Sequence, residues 1–160
     1  MHELTKDVRP WVEIAFFRCF MGFLLDTCVL AEIRRSEPND RVIKRVTMLK
    51  DEEIFLSVLT IGEIWKGILL LQDGRKKSDL TAWVTGIVHK FADRILPIDQ
   101  QSAHIWAEIT AKAQQAGFVV PAVDGMIAAT AIRSGLYVMT RNTKHFNAVG
   151  ALVIDPWEES

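Results

Sequence analysis

Cysteine is scarce in this chain of 160 residues, and neither sign of charge dominates it. The two cysteines, Cys19 and Cys28, are too few and too close together for a disulfide framework, which favours a reducing, cytoplasmic setting. A net charge of -1 gives no support for binding nucleic acid through bulk positive charge, so such binding needs local basic patches or bound cations. No stretch reaches the roughly 18 uninterrupted apolar residues of a membrane span.

The first twenty residues are set apart because Met21 lies just before the first predicted strand. The chain is 49% hydrophobic and 24% charged, which is ordinary for a globular protein with a sizeable core. We therefore predict an N-terminal extension at 1–20, with Met21 as an alternative natural start, and one domain at 21–157. The extension is expected to pack loosely or to form a short surface helix, and to be dispensable for the domain.

Short apolar runs alternate with helical patterns along the domain. The runs predict five strands, at 22–25, 54–57, 95–98, 136–139 and 151–154. Apolar residues at helical spacing and capping residues predict helices at 29–35, 40–50, 60–71, 80–91, 101–116 and 122–134. Because strands that alternate with helices pair in parallel, we predict an α/β protein, a three-layer α/β/α fold with a mainly parallel sheet of about five short strands.

Three acids stand where a polar residue is locally unfavourable. Asp26 ends a buried strand, and Asp124 interrupts an otherwise apolar helix. Glu63 lies in the first turn of the helix predicted to begin at Thr60. Structural roles are open for each of them, since Asp26 and Asp124 can cap helices and Glu63 can complete a capping box with Thr60.

The predicted places of these acids indicate a metal site. The carboxyl ends of parallel strands meet at one edge of a sheet, where ligands bind in open α/β folds. A buried, unpaired carboxylate is costly, and no Lys or Arg adjoins Asp124 in sequence. Oxygen ligands of this kind favour Mg²⁺ or Mn²⁺. Asn142 follows the strand at 136–139 and is expected at the same edge.

Four blocks of sequence carry a family resemblance. They are Leu25-Asp-Thr27, Leu59-Thr-Ile-Gly-Glu-Ile64, Val123-Asp-Gly-Met-Ile-Ala-Ala129 and Thr140-Arg-Asn-Thr-Lys-His-Phe146. In their order, and in the secondary structure between them, the blocks resemble the PIN-domain nucleases. Within these, the chain is similar to the VapC/FitB-type toxins of bacterial type II toxin–antitoxin pairs. The resemblance covers about 21–157.

The resemblance implies a Mg²⁺-dependent endoribonuclease with an antitoxin protein as partner. Its catalytic, metal-binding acids would be Asp26, Glu63 and Asp124, with Asn142 as a polar fourth catalytic position. The family often has Asp at that fourth position, so Asn142 leaves the number of metal ions open. A second departure is Cys28, where the family usually has Asn. A small buried thiol is the favoured interpretation there, since magnesium prefers oxygen.

The chemistry of phosphodiester hydrolysis agrees with this residue set. A divalent ion held by carboxylates lowers the pKa of water and neutralises charge on the phosphate. The predicted substrate contacts are polar residues near the acids or the strand ends, namely Thr27, Arg34, Thr140, Arg141 and Lys144. The other basic groups, which include Arg41, Lys44 and Arg45, are expected to lie on ordinary solvent-exposed surfaces without contacting substrate. For His104 and His145, a surface or packing role is favoured over proton transfer.

Two other functions are open to such a sequence. Phosphoryl transfer of the haloacid-dehalogenase kind needs a second Asp two residues after the first, where Cys28 stands. A PIN-fold module that docks RNA or a partner without cleavage is the alternative that Asn142 keeps open.

The helices predicted over 60–91 carry large apolar residues that predict a homodimer and an antitoxin-covered surface, namely Trp65, Leu69, Leu70 and Trp83.

Overall fold

The computed structural model describes residues 21–159, so the expectation for residues 1–20 lies outside the described residues. The strands are β1 (Phe23–Leu25), β2 (Ile54–Ser57), β3 (Ile95–Leu96), β4 (Tyr137–Met139) and β5 (Val153–Ile154). The helices are α1 (Thr27–Ile33), α2 (Asp40–Thr47), α3 (Val58–Leu69), α4 (Arg75–Lys90), α5 (Gln100–Gln115), α6 (Ala122–Ser134) and α7 (Thr143–Ala148). None of the helices in this part of the chain has the length and apolarity to cross a membrane.

All neighbouring strands run parallel, in the order β3-β2-β1-β4-β5, which confirms the predicted five-stranded parallel sheet. β1 lies at the centre, where Leu24 is the register partner of Phe55 on one side and of Val138 on the other. The chain proceeds from β1 to β2 and β3, and later returns to the other side of β1 as β4. Ligands of open α/β sheets bind at the carboxyl ends of the strands where the order reverses in this way.

Side chains of β1 alternate between the two faces of the sheet, as strand geometry requires. Leu24 is fully buried in a core that includes residues of α5, α6 and α7. Phe23 and Leu25 belong to a second core, to which α1, α2 and α4 contribute. Burial of each such large apolar side chain contributes about 1.5–3 kcal/mol. A helical layer therefore covers each face of the sheet, which confirms the three-layer α/β/α fold.

Two helices that carry the candidate acids begin earlier than the sequence predicted. α1 begins at Thr27, and Asp26 is its N-cap residue. α3 begins at Val58 with Ser57 as its side-chain cap, so Thr60 lies inside the helix. The prediction of a helix start at Thr60 is therefore wrong. Ser and Thr are both favoured capping residues, and the sequence pattern did not distinguish between them.

Three other elements differ from the predictions. α4 begins at Arg75, five residues before the helix that was predicted at 80–91. α7 was not predicted, because its six residues are too few to display helical periodicity. β3 ends at Leu96, before Pro97, since proline has no N–H group to continue a ladder of hydrogen bonds.

The apolar surface expected on α3 and α4 is present in part. Leu69 is 69% exposed and Leu70 is 78% exposed at the end of α3. Trp65 and Trp83 are only half-buried, and Trp83 packs against the second core. The guanidinium carbon of Arg34 lies 5.3 Å from the centroid of the Trp83 ring. Of the four apolar residues predicted to be exposed there, the two leucines are exposed and the two tryptophans are only partly so.

Candidate functional site

Asp26 is held firmly at the carboxyl end of β1. The residue is 8% exposed, and its Oδ1 atom accepts a hydrogen bond from the backbone N–H of Thr27 at 2.8 Å. Its Oδ2 atom accepts from the Thr140 hydroxyl at 2.7 Å and from the Cys28 thiol at 3.5 Å. Asp26 thus caps α1, as the structural interpretation expected. Each carboxylate oxygen has two lone-pair positions, so the cap does not exhaust its capacity to bind a ligand.

Thr140 has a different place from the one predicted for a substrate contact. Its side chain is fully buried after β4, and its hydroxyl donates to Asp26. The same oxygen accepts a hydrogen bond from the backbone N–H of Asn142 at 3.0 Å. The expectation that Thr140 contacts substrate is therefore corrected, since its side chain orients Asp26 and is inaccessible from solvent.

Asp124 is oriented by α7 rather than by its own helix. It lies in the first turn of α6, where the partial positive charge of the helix N-terminus favours an acid. Its Oδ2 atom is 2.9 Å from Asn142 Nδ2 and 2.6 Å from His145 Nδ1. Oδ1 has no hydrogen-bond partner among the described residues and is available to a ligand.

His145 is the site residue that sequence reasoning placed wrongly, as an ordinary surface or packing residue. It lies three residues after Asn142, which is the N-cap residue of α7. Side chains three positions apart lie on the same face of a helix. The spacing of three residues would have placed His145 beside Asn142 if the segment had been predicted to be helical. Because α7 was not predicted, the spacing carried no information.

Glu63 is the most exposed of the three acids. It lies in the second turn of α3, so the capping-box role with Thr60 does not apply. Its Oε2 atom accepts a hydrogen bond from the Thr27 hydroxyl at 2.5 Å. That contact ties Glu63 to the first residue of α1, and it leaves Oε1 without a partner within residues 21–159.

The structure brings the three acids to one open pocket of about 520 Å³ at the carboxyl edge of the sheet. The pocket is lined by Asp26, Thr27, Cys28, Ala31, Glu63, Asp124, Arg141 and Asn142. Arg34 lines an adjoining groove of about 850 Å³, which shares Thr27 and Glu63 with the pocket. Lys144 is exposed on α7 and does not line the pocket. Thr27 and Arg141 are thus the predicted substrate contacts that stand directly beside the acids.

The donor set of the pocket fits a hard divalent cation. Asp26, Glu63 and Asp124 offer carboxylate oxygens, and Asn142 adds an amide, which is the chemistry that Mg²⁺ prefers. In residues 21–159, none of the three acids forms an ion pair with Lys or Arg, and Asp124 pairs only with His145. The described residues hold no ready-made cage of three or more His, Cys, Asp or Glu side chains. The acids therefore line an open pocket and do not form a closed cage within residues 21–159.

Cys28 stands beside Asp26 but is poorly suited to bind a metal. Burial raises the pKa of the Cys28 thiol, and the nearby charge of Asp26 raises it further. The backbone N–H of Arg141 donates to Sγ at 3.4 Å. A thiol with a raised pKa stays protonated at neutral pH, whereas the thiolate is the form that ligates metals.

Comparisons with known proteins agree with this geometry. A model of the PIN domain matches residues 23–152. Toxin FitB of Neisseria gonorrhoeae is 41% identical over 137 residues, which cover 85% of this chain and 99% of FitB. VapC ribonuclease Y4jK of Sinorhizobium fredii is 33% identical over 136 residues, which cover 84% of this chain and 97% of Y4jK.

The likeness extends to three dimensions. A solved structure of FitAB bound to an IR36 DNA fragment superposes with a TM-score of 0.83 at 40% sequence identity. The superposition covers 86% of this chain and 97% of the matched chain. The family model thus spans the residues that line the pocket and four of the five strands. The chain belongs to the PIN-domain family.

Proposed function

We propose that this protein is a Mg²⁺-dependent endoribonuclease that hydrolyses RNA phosphodiester bonds as the toxin of a toxin–antitoxin pair. The observation that carries the proposal is the open pocket in which Asp26, Glu63 and Asp124 meet without a Lys or Arg ion pair in residues 21–159. The names of relatives support the activity, since FitB is a toxin and Y4jK is a VapC ribonuclease. We also propose a reducing, cytoplasmic setting, which the scarcity of cysteine favours.

The three acids would hold the metal ion, which is Mg²⁺ or, with the same ligands, Mn²⁺. Bound there, the ion supplies a water of lowered pKa and neutralises charge on the phosphate. The chain itself orients the ligands. Thr140 holds Asp26 through its hydroxyl, and Asn142 and His145 hold Asp124. Partners of this kind keep metal ligands in place and maintain their affinity.

The RNA would contact the basic and hydroxyl groups at the rim of the pocket. Arg141 is exposed and lines the pocket, so its guanidinium is available to a phosphate. Thr27 lines both the pocket and the adjoining groove, where Arg34 provides a second cation. Lys144 is exposed on the neighbouring α7 and would add a longer-range attraction.

A nuclease assay on labelled RNA tests this function. Cleavage should require Mg²⁺, stop with EDTA, and fall by roughly a hundredfold or more in Asp26→Asn, which is a barrier increase of about 2.7 kcal/mol. Asp79→Asn, a change of an exposed acid on α4, is the matched control and should cleave normally. Cleavage that persists in EDTA would refute the proposal. RNA binding without metal-dependent cleavage would instead favour the alternative, a PIN-fold module that docks RNA or a partner protein.

We also propose that the apolar end of α3 serves assembly. Leu69 and Leu70 are exposed there, and exposed apolar surface of this kind marks protein interfaces. A homodimer would cover part of this surface, and an antitoxin protein would cover the rest, by analogy with the FitAB structure. Sedimentation at tens of micromolar should show a dimer that Leu70→Gln weakens. A monomer in both proteins would contradict the dimer.

A further inference from the structure

Arg141 connects the acidic pocket to the C-terminal segment of the described chain. Its guanidinium carbon lies 5.5 Å from the centroid of the Trp157 ring, while the residue also lines the pocket. The backbone carbonyl of Trp157 accepts a hydrogen bond from Arg41 Nη1 at 3.1 Å. Two arginines, one in the pocket and one on α2, therefore contact the same residue.

The basic side of α2 continues away from Arg41. Lys44 and Arg45 line a surface pocket of about 380 Å³ together with Arg41, Glu158 and Glu159. Lys44 is exposed and has no ion pair within residues 21–159. We call Arg141, Arg41, Lys44 and Arg45 the basic ridge. The ridge starts among the acids and leads onto the outer surface of α2.

A carboxylate already occupies one position on this ridge. Glu159 Oε1 lies 2.6 Å from Arg41 Nη2, and the two side chains are 80% and 55% exposed. Ion pairs between side chains this exposed are weak and are screened by salt. An anion with many charges would displace such a carboxylate readily.

We propose that the basic ridge binds the phosphate backbone of RNA as it leaves the acidic pocket, and that Glu158 and Glu159 cover the ridge when RNA is absent. The inference rests on the proposed function, which brings a polyanion to the pocket. The net charge of the whole chain is only -1, so attraction to RNA must come from a local group of cations. The basic ridge is such a group, and it is continuous with the pocket through Trp157.

The charge of each side chain predicts the sign of its effect on RNA binding. Fluorescence anisotropy with a labelled single-stranded RNA would be measured on the full chain carrying Asp26→Asn, so that the RNA stays intact. One lost phosphate contact lowers the slope of log affinity against log salt by about 0.7 for a single strand. Lys44→Gln should therefore weaken binding roughly eightfold in 50 mM salt and roughly threefold in 200 mM salt. Glu159→Gln should tighten binding.

Lys112→Gln is the matched control. Lys112 is also exposed, but it lies on α5, on the opposite face of the sheet from α2. Its substitution removes the same charge and should leave RNA affinity unchanged. Melting temperatures of all variants would verify that each is folded.

The outcomes separate the basic ridge from the nuclease proposal. If Lys44→Gln behaves like Lys112→Gln, or if Glu159→Gln weakens binding, the role of the ridge is refuted. A chain that binds RNA in a Lys44-dependent way but never cleaves it would keep the ridge and refute the nuclease. If the chain cleaves RNA but Lys44→Gln has no effect, the nuclease proposal stands and the role of the ridge is refuted.

Discussion

The Nδ1 atom of His145 lies 2.6 Å from Oδ2 of Asp124, a residue 21 positions earlier in the chain. Asn142 Nδ2 reaches the same oxygen at 2.9 Å, so two groups share one acceptor. Because an ionised carboxylate only accepts hydrogen bonds, the imidazole must donate through Nδ1. The 2.7 Å contact between Asn142 Nδ2 and His145 Nδ1 then joins two donors and is not itself a hydrogen bond. α7 thus determines the orientation of Asp124.

His145→Ala should slow Mg²⁺-dependent RNA cleavage by roughly tenfold to a hundredfold, as is typical when a partner of a metal ligand is removed. His145→Asn, whose amide can donate to Asp124, should recover part of the loss. The measurement is the single-turnover cleavage rate. His104→Ala, a change of an exposed histidine on α5, is the control. Equal rates for the two alanine variants would show that His145 does not orient Asp124 for cleavage.

Thr140→Val should reduce both stability and cleavage. The substitution keeps the shape of the side chain but removes the donor to Asp26 Oδ2, and the unfolding free energy should fall by about 1–3 kcal/mol. Thr130→Val is a matched change at another buried hydroxyl, which donates to the Met126 carbonyl. Chemical denaturation should show a loss of stability in both variants, whereas only Thr140→Val should cleave more slowly. A cleavage loss of equal size in Thr130→Val would indicate a general effect of destabilisation.

Glu32 should make stability depend on acid pH. The backbone N–H of Asn39 donates to its carboxylate at 2.8 Å and, with help from Arg35, lowers the pKa of Glu32 below its ordinary value of 4.5. The charged form thus stabilises the folded protein above that ordinary value, and this stabilisation is lost as the pH falls through the lower folded-state pKa. Glu32→Gln should therefore melt at a lower temperature than wild type at pH 7.

Thermal melts in strongly acidic buffer complete this test. There Glu32 is protonated in the wild type as well, so the difference from Glu32→Gln should disappear. Glu37→Gln, which removes an exposed acid nearby, should show little difference at either pH. A difference for Glu32→Gln that stays constant from neutral to acid pH would contradict the role of its charge.

Gly125→Ala should destabilise the contact between α5 and α6. A Cβ atom at Gly125 would lie 2.9 Å from Thr110 Cγ2 and 3.0 Å from the Trp106 ring, closer than such atoms normally approach. Overpacking of this kind costs about 1–3 kcal/mol. Gly86→Ala in α4 is the control, since nothing lies within 4 Å of its added Cβ. It should stabilise the helix by about 0.5–1 kcal/mol, and equal melting temperatures for both variants would contradict the packing argument.

The sheet and the positions of Asp26 and Asp124 were predictable because each leaves a local pattern. An apolar run that ends at Asp26 predicts a strand with an acid at its edge, and an acid inside an apolar helix identifies Asp124. The contact of His145 with Asp124 was not predictable in the same way, since it joins distant segments through a six-residue helix. The buried hydroxyl of Thr140 likewise gives no sign in the sequence that it faces Asp26 rather than solvent. The contact of the Arg141 guanidinium with the Trp157 ring is a third contact of this kind.

Because β1 lies at the centre of the sheet, the pocket can be completed only after β4 has been synthesised. A ribosome produces β1, β2 and β3 well before β4, although β4 is the strand that completes the other side of β1. The groups that orient Asp26 and Asp124 follow β4 directly, at Thr140 and at 142–145. A nascent chain that stops just short of β4 already carries all three acids, but it lacks the side chains of Thr140, Asn142 and His145 that contact Asp26 and Asp124.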